Sequence, residues 1–268
     1  MNMLIDGARS DRIPADDRGL LFGETVFETV AFKGGHAPLW SRHMARLAHG
    51  AKVLGLPVPS ADVLASECQT LLAATTDESV VVRLTLTGGS GSRGYWPASA
   101  EQVRRIVQAR PWPPDLEAQR RRGLRTAISR HRLSHAGVLA GLKHGNRLVQ
   151  TLAAREAIAR EMDDMLLLDE GGCLAEAISS NLILATPEGL LTPLGAAVAG
   201  VGLGWLRDQL GSELKEGSLR PERLERASEV LVVNSVAGVR PVVGVDQRRF
   251  QPGQVFQRLH SLWQSQLY

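Results

Sequence analysis

The chain has 268 residues, of which 44% are hydrophobic and 22% are charged. This length allows one large domain or two modest ones, and the composition excludes a chain that is disordered over most of its length. A nucleic-acid-binding module would show a basic face interleaved with aromatic side chains, but the formal net charge is only +3 and aromatic residues make up 4%. We therefore expect a folded globular protein. Its mildly basic charge fits a small anionic substrate as well as it fits a nucleic acid.

In the first half of the chain, hydrophobic periodicity predicts two helices and several strands. The segment 16–19 is rich in turn-forming residues, and the glycine-rich segment 88–95 follows a strongly predicted strand. The proline-rich stretch 111–114 breaks regular structure, so we place a linker there between domains 1–110 and 118–268. The predicted strands are 4–6, 26–32, 79–87 and 105–109, and the predicted helices are 38–54 and 60–74.

The second half alternates differently, with short strands joined by tight turns around a few helices. The helix predicted at 146–160 has an apolar face formed by Val149, Leu152, Ala153 and Ala157. Glycines 200, 202 and 204 precede a further helix at 205–210. The predicted strands are 124–129, 165–169, 174–178, 181–185, 190–192 and 229–234.

The two cysteines, Cys68 and Cys173, lack the spacing of metal ligands, and we expect both to be free thiols. The N-terminal residues contain no apolar stretch typical of a signal peptide, and no run of the sequence reaches the length of a membrane span. These features predict a cytoplasmic protein.

Lys143 is the most informative residue, because the chain otherwise avoids lysine. Only four of the 31 lysines and arginines are lysines. Arginine can fill a site that needs only a cation, whereas an amine that must attack an aldehyde has to be lysine. A solvated cation at a helix start is the alternative interpretation. A cation there opposes the helix dipole, however. This is unfavourable for a solvated cation and useful for an amine that must be neutral.

The glycines at 200–204 form a second candidate site. Free backbone N–H groups at a helix start bind anions, although a flexible turn would need the same glycines. Together, an imine-forming lysine and an anion-binding turn are what pyridoxal phosphate requires, since its aldehyde is held covalently and its phosphate by backbone donors.

With these features the sequence resembles the fold-type IV pyridoxal-phosphate family, and within it the aminodeoxychorismate lyase branch. The loop 89–95 is similar to that branch in its pattern Gly-Ser-Gly-x-Arg-Gly-Tyr, which the aminotransferase branches usually lack. The sequence departs from the family where Glu24-Thr25 replaces Asp-Gly and where Leu203-Gly204 follows the phosphate-binding turn. The matching segments span most of the chain and are 17–19, 26–29, 43–47, 89–95, 143–148, 176–182 and 199–201.

The resemblance implies a homodimeric α+β protein of two domains, with pyridoxal phosphate in the cleft between them. It implies that Lys143 is the Schiff-base lysine and the general base and acid, and that Glu176 keeps the pyridine nitrogen protonated. Asn234 and Ser235 could equally be turn formers, and Asn181 a turn residue at a strand start. The other cofactor-binding residues that the resemblance implies are Arg46, Asn181, Gly200, Val201, Gly202, Asn234 and Ser235.

The implied reaction cleaves 4-amino-4-deoxychorismate to 4-aminobenzoate and pyruvate, a step toward folate. That substrate has two carboxylates, and Arg93 is our first candidate to bind one, with Arg147 as the second. A solvated loop cation remains the alternative for Arg93. The nearest alternative function is an aminotransferase for D-amino or branched-chain amino acids that uses the same Lys143 and Glu176. An alternative from another class is a basic RNA- or protein-binding module in which the lysine and the glycines are structural.

Overall fold

The computed structural model describes residues 2–91, 93–97, 99, 102–195 and 197–267. It divides into two compact units, Met1–Trp112 with Leu142–Asn146, and Pro113–Gly141 with Arg147–Tyr268. The predicted second domain, 118–268, contains Lys143, whereas the structure places the segment around Lys143 in the first unit. The reason is a set of backbone hydrogen bonds to a strand of the first unit. Ser92, within the predicted loop 89–95, lies outside the described residues.

The first unit is an antiparallel sheet, of order β2-β1-β5-β4-β3, covered on one face by two helices. Alternate residues of β3 and β4, such as Val26, Val30, Val82 and Leu84, are buried against those helices. Its elements are β1 (Met3–Ile5), β2 (Ala8–Arg9), α1 (Arg18–Phe22), β3 (Thr25–Lys33), α2 (Trp40–Leu54), α3 (Ala61–Leu72), β4 (Ser79–Thr87) and β5 (Arg104–Pro111).

The second unit contains a closed barrel. Its elements are α4 (Leu116–Arg122), β6 (Leu124–Leu133), α5 (Leu148–Ala159), β7 (Asp164–Asp169), β8 (Leu174–Ala177), β9 (Asn181–Thr186), β10 (Gly189–Pro193), α6 (Val201–Leu210), β11 (Leu214–Gly217), β12 (Glu229–Asn234), β13 (Gly238–Val245), β14 (Arg248–Arg249) and α7 (Gln254–Leu267). Within the described part of this unit, six strands pair in the order β9-β12-β13-β6-β7-β8, and the pairing of β8 with β9 closes the ring.

Several elements differ from the sequence prediction. Of the turn-rich segment 16–19, Asp16 lies in a turn, whereas Arg18 and Gly19 belong to helix α1. The Asp17 side chain caps that helix by accepting the Gly19 N–H at 2.8 Å. Helix α6 begins at Val201, so Gly202 and Gly204 lie inside it rather than before it. Leu152, predicted on the apolar face of α5, is exposed. The strand β13 and the helix α7 were not predicted.

Both cysteines are free thiols, as predicted, with Cys68 buried and Cys173 half-buried. Among the described residues, no helix is long and apolar enough to cross a membrane.

Candidate active site

The segment Lys143–Gly145 is held alongside strand β3 by two backbone hydrogen bonds. The Lys143 carbonyl accepts the Phe27 N–H at 3.0 Å, and the Gly145 N–H donates to the Thr25 carbonyl at 2.9 Å. This approach requires glycine at 145, because a Cβ there would lie 1.9 Å from the Thr25 Oγ1. The Lys143 Nζ lies 4.5 Å from the centre of the Phe27 ring. The lysine is half-buried. Its backbone is held by a strand, whereas the sequence had suggested a position at a helix start.

Arg46, a predicted phosphate ligand, belongs to a buried ion network on the same unit. Its Nε and Nη2 donate to the two carboxylate oxygens of Glu28 at 2.7 and 2.6 Å. The His43 Nδ1 lies 2.6 Å from the Glu28 Oε2. His43 and Arg46 are three residues apart on α2, so both side chains reach the one carboxylate on β3. We call these three residues the Glu28 cluster. Phosphate binding by Arg46 stays a prediction.

Burial and hydrogen bonding set the charges of the Glu28 cluster. Burial alone would raise the pKa of Glu28, but the hydrogen bonds from Arg46 and His43 outweigh it and lower that pKa to about 2. Burial lowers the pKa of His43, helped by the nearby charges of Arg46 and Lys143 and opposed by Glu28. The cluster is therefore an ionised Glu28–Arg46 pair beside a neutral His43.

We expect the Glu28 cluster to make the protein sensitive to acid. Glu28 binds its proton at a lower pH when folded, so its contribution is present above pH 4.5 and is lost as the pH falls toward about 2. A pKa lowered by that much corresponds to on the order of 3 kcal/mol of unfolding free energy. The lowered pKa of His43 acts in the same direction below pH 6.5.

Urea unfolding measured from pH 7 to pH 3 tests this expectation. Glu28→Gln should be less stable than wild type at pH 7 and should lose less stability on acidification. The exposed Glu78→Gln serves as a control and should follow wild type. Parallel curves for wild type and Glu28→Gln would contradict the assignment.

Arg83 is a functional candidate that sequence reasoning missed. Its guanidinium carbon lies 3.8 Å from the centre of the Phe27 ring, the ring that Lys143 also contacts. Burial lowers the pKa of Arg83 to about 10, and the charge of Arg110 adds to the effect. Among the described residues, no carboxylate or hydrogen-bond acceptor pairs with Arg83. One sequence signal could have identified it, because Arg83 is a charged residue within the apolar run Val80-Val81-Val82-Arg83-Leu84.

Arg18 fastens the glycine-rich loop that carries Arg93. The Arg18 N–H donates to the Gly89 carbonyl at 2.7 Å, and its guanidinium donates to the carbonyls of Gly94 and Tyr95 at 2.9 and 3.2 Å. The same guanidinium pairs with Glu24, a residue that departs from the family pattern. Arg93 is exposed on this loop. One buried arginine therefore joins both ends of the loop.

In the second unit, Glu176 and Asn181 face each other where the barrel closes. Glu176 is buried. Its Oε1 accepts from the Gln150 Nε2 at 3.2 Å and its Oε2 from the Val198 N–H at 2.8 Å. The Asn181 Nδ2 donates to the Val198 carbonyl at 2.8 Å. Both predicted cofactor residues thus hold the peptide groups of Val198, directly before the predicted phosphate-binding turn.

Gly200, Val201 and Gly202 form the start of helix α6, where the first N–H groups have no acceptor within the helix. A Cβ at Gly200 would lie 1.7 Å from the Asn181 Oδ1, and a Cβ at Gly202 would lie 3.1 Å from the carbonyl carbon of Asn234. We call this helix start, with the adjoining peptide of Asn234 and Ser235, the phosphate cup. Its N–H donors suit a phosphate, and the buried Glu176 suits a protonated ring nitrogen.

The structure limits the predicted role of Asn234 and leaves that of Arg147 untested. The Asn234 side chain is used by its own turn, since its Oδ1 accepts the N–H groups of Val236 and Ala237 at 3.0 and 2.7 Å. Asn234 can therefore serve a ligand only through its backbone. Arg147 is the N-cap residue of α5, and its carbonyl accepts from Thr151. Substrate binding by Arg147 stays a prediction.

Comparison with known proteins places these residues in a family. The family model described as amino-transferase class IV matches residues 25–245. The crystal structure of 4-amino-4-deoxychorismate lyase from Pseudomonas aeruginosa superposes with a TM-score of 0.90 and 33% identity, covering 98% of each chain. Aminodeoxychorismate lyase of Vibrio harveyi is 28% identical over 90% of each chain. The branched-chain-amino-acid aminotransferase of Escherichia coli K12 is 28% identical over 85% of this chain and 78% of its own.

Proposed function

Because the chain belongs to the amino-transferase class IV family, we propose that it is a pyridoxal-phosphate-dependent lyase that converts 4-amino-4-deoxychorismate to 4-aminobenzoate and pyruvate. The observation that carries the proposal is the 33% identity to the Pseudomonas aeruginosa lyase across 98% of both chains. The loop 89–95, with its lyase-like pattern, supports the same choice over an aminotransferase.

Pyridoxal phosphate is the cofactor of this fold-type IV enzyme, and the residues described above suit it. Lys143 provides the amine that binds it covalently. The backbone N–H donors of the phosphate cup suit the cofactor's phosphate. Arg46 is kept as a predicted phosphate ligand, because an arginine fork suits a phosphate. Glu176 provides the carboxylate for the ring nitrogen, and Asn181 holds the peptide that leads into the cup.

When bound, pyridoxal phosphate supplies an aldehyde that takes up the substrate amine and a ring that accepts electrons from the neighbouring carbon. The Lys143 amine removes the proton from the amine-bearing ring carbon of the substrate. The bond between the substrate ring and the enolpyruvyl oxygen then breaks, and Lys143 returns the proton to the departing group. Glu176 keeps the ring nitrogen of the cofactor protonated throughout. The substrate ring becomes aromatic, and no oxidant, reductant or water is consumed.

Two arginines of the first unit are our candidates for the substrate carboxylates. Arg93 lies on the loop that Arg18 fastens, where glycines allow a close approach. Arg83 is a half-buried cation that has no anionic partner among the described residues, and it contacts the same Phe27 ring as Lys143. A carboxylate would offset the unfavourable burial of the Arg83 charge. Arg147 is kept as a further candidate.

Product analysis tests the proposal directly. We expect the purified enzyme to release 4-aminobenzoate and pyruvate in equal amounts from aminodeoxychorismate without any keto acid. The elimination leaves the cofactor in its aldehyde form, so no second half-reaction is needed to restore it. Glutamate with aminodeoxychorismate omitted is the control and should give no keto acid.

An aminotransferase is the second candidate, favoured by the identity of 28% to the branched-chain enzyme of Escherichia coli. That enzyme class returns the cofactor to its aldehyde form only when a keto acid accepts the amine. Turnover that required a keto acid, with accumulation of an amino acid, would replace the lyase proposal by this one.

We also propose a cytoplasmic homodimer. The first unit exposes a set of large apolar side chains that a second copy would cover, namely Leu20, Leu21, Phe22, Tyr95 and Trp96.

A further inference from the structure

A buried arginine of the second unit makes two hydrogen bonds that lead in different directions. Arg240, on β13, is 7% exposed. Its Nη2 donates to the Ser180 Oγ at 3.0 Å, and its Nη1 donates to the Gln119 Oε1 at 2.7 Å. Ser180 adjoins the candidate active site, whereas Gln119 lies on α4, which contributes no candidate site residue. The two bonds can therefore be removed separately.

The Ser180 hydroxyl joins Arg240 to a turn of the phosphate cup. Besides Arg240, it accepts from the Asn234 Nδ2 at 3.0 Å. That amide also donates to the Ser179 carbonyl at 3.3 Å. The other end of the Asn234 side chain accepts the N–H groups of Val236 and Ala237 and so shapes the turn 234–237. Ser180 is 3% exposed, so water cannot readily replace its hydroxyl.

Both sides of the phosphate cup depend on this hydroxyl. On one side, the peptide of Asn234 and Ser235 abuts Gly202, where a Cβ would lie 3.1 Å from the Asn234 carbonyl carbon. On the other side, Ser180 directly precedes Asn181, whose side chain holds the Val198 carbonyl. A shift at Ser180 would therefore move the peptide groups on both sides of the helix start.

We propose that Ser180 and Arg240 are positioning residues for the phosphate cup. Ser180 fixes the turn 234–237 against Gly202, and Arg240 fixes the Ser180 hydroxyl. The proposal rests on the proposed function, because it takes the phosphate of pyridoxal phosphate as the ligand of the cup. It gives Ser180 no contact with the cofactor and no part in the chemistry.

The experiment compares the affinities of wild type, Ser180→Ala and Gln119→Ala for two ligands, pyridoxal phosphate and pyridoxal. Absorbance titration of the full-length protein after removal of its cofactor measures both. Ser180→Ala removes the acceptor shared by the buried Arg240 guanidinium and the half-buried Asn234 amide, so we expect its affinity for pyridoxal phosphate to fall about tenfold. Its affinity for pyridoxal, which has no phosphate, should stay within about twofold of wild type. Gln119→Ala should match wild type for both ligands, because it removes the bond that leads away from the site.

The proposal is overturned if Ser180→Ala weakens both ligands equally or neither of them, or if Gln119→Ala weakens pyridoxal phosphate as strongly. A general loss of stability in Ser180→Ala would weaken the binding of both ligands equally. A wild-type protein that bound neither ligand would overturn the proposed function itself, and this outcome is distinct from a change between variants.

Discussion

Glu176→Gln should retain pyridoxal phosphate and lose most of its turnover, by on the order of 100-fold or more. In the proposed mechanism the buried carboxylate would stabilise a proton on the ring nitrogen of the cofactor, and a neutral amide cannot do so. The amide preserves the shape of the side chain and can still accept the Val198 N–H through its oxygen. Cofactor content, measured by absorbance, should therefore stay near wild type while kcat falls.

Glu229→Gln is a matched control for this variant. Glu229 is also a buried strand carboxylate of the second unit, but within the described residues its hydrogen bonds come from the backbone N–H groups of Gly253, Val255 and Phe256. We expect Glu229→Gln to reduce stability and leave kcat per bound cofactor unchanged. If Glu176→Gln turned over near the wild-type rate, the role in protonating the ring would have to pass to another residue.

Arg83→Met and Arg93→Ala should each weaken substrate binding more than they slow turnover. Loss of one charge-assisted contact costs roughly 1.5–3 kcal/mol, or about 10- to 150-fold in kcat/KM, mostly through KM. Arg83→Met should also leave the unfolding free energy unchanged or raised, because it removes a half-buried cation for which the described part of the chain provides no anionic partner. A higher KM without lower stability separates a ligand-binding role from a structural one.

Steady-state kinetics and urea unfolding of the same preparations measure these effects. Arg12→Met, a change at an exposed arginine of the first unit, should behave as wild type. An unchanged KM in both Arg83→Met and Arg93→Ala would mean that other residues bind the substrate carboxylates, with Arg147 as the next candidate.

Local sequence patterns predicted much of the fold. The strands Ser79–Thr87 and Glu229–Asn234 occur at their predicted bounds, because alternating or continuous β-branched runs specify strands strongly. The pattern failed for β13, where Pro241 and flanking glycines are typical of a turn. Helix α7 was also missed, although its buried Leu259, Trp263 and Leu267 recur at helical spacing.

The candidate site was harder to predict, because it depends on contacts between distant parts of the chain. Lys143 was singled out by its rarity, yet its backbone pairing with β3 left no local signal. The burial of Glu176 follows from barrel closure against Asn181, which strand periodicity cannot show. Arg83 was missed because only the structure shows that no anionic group of the described residues pairs with it.

Borohydride reduction of the purified protein followed by peptide mapping tests the central claim most directly, that Lys143 holds pyridoxal phosphate. We expect visible absorption before reduction, its loss on reduction, and a single pyridoxyl group on the peptide that contains Lys143. The other lysines, Lys33, Lys52 and Lys215, serve as internal controls and should remain unmodified. A pyridoxyl group on any of those three, or on none of the four lysines, would contradict the assignment.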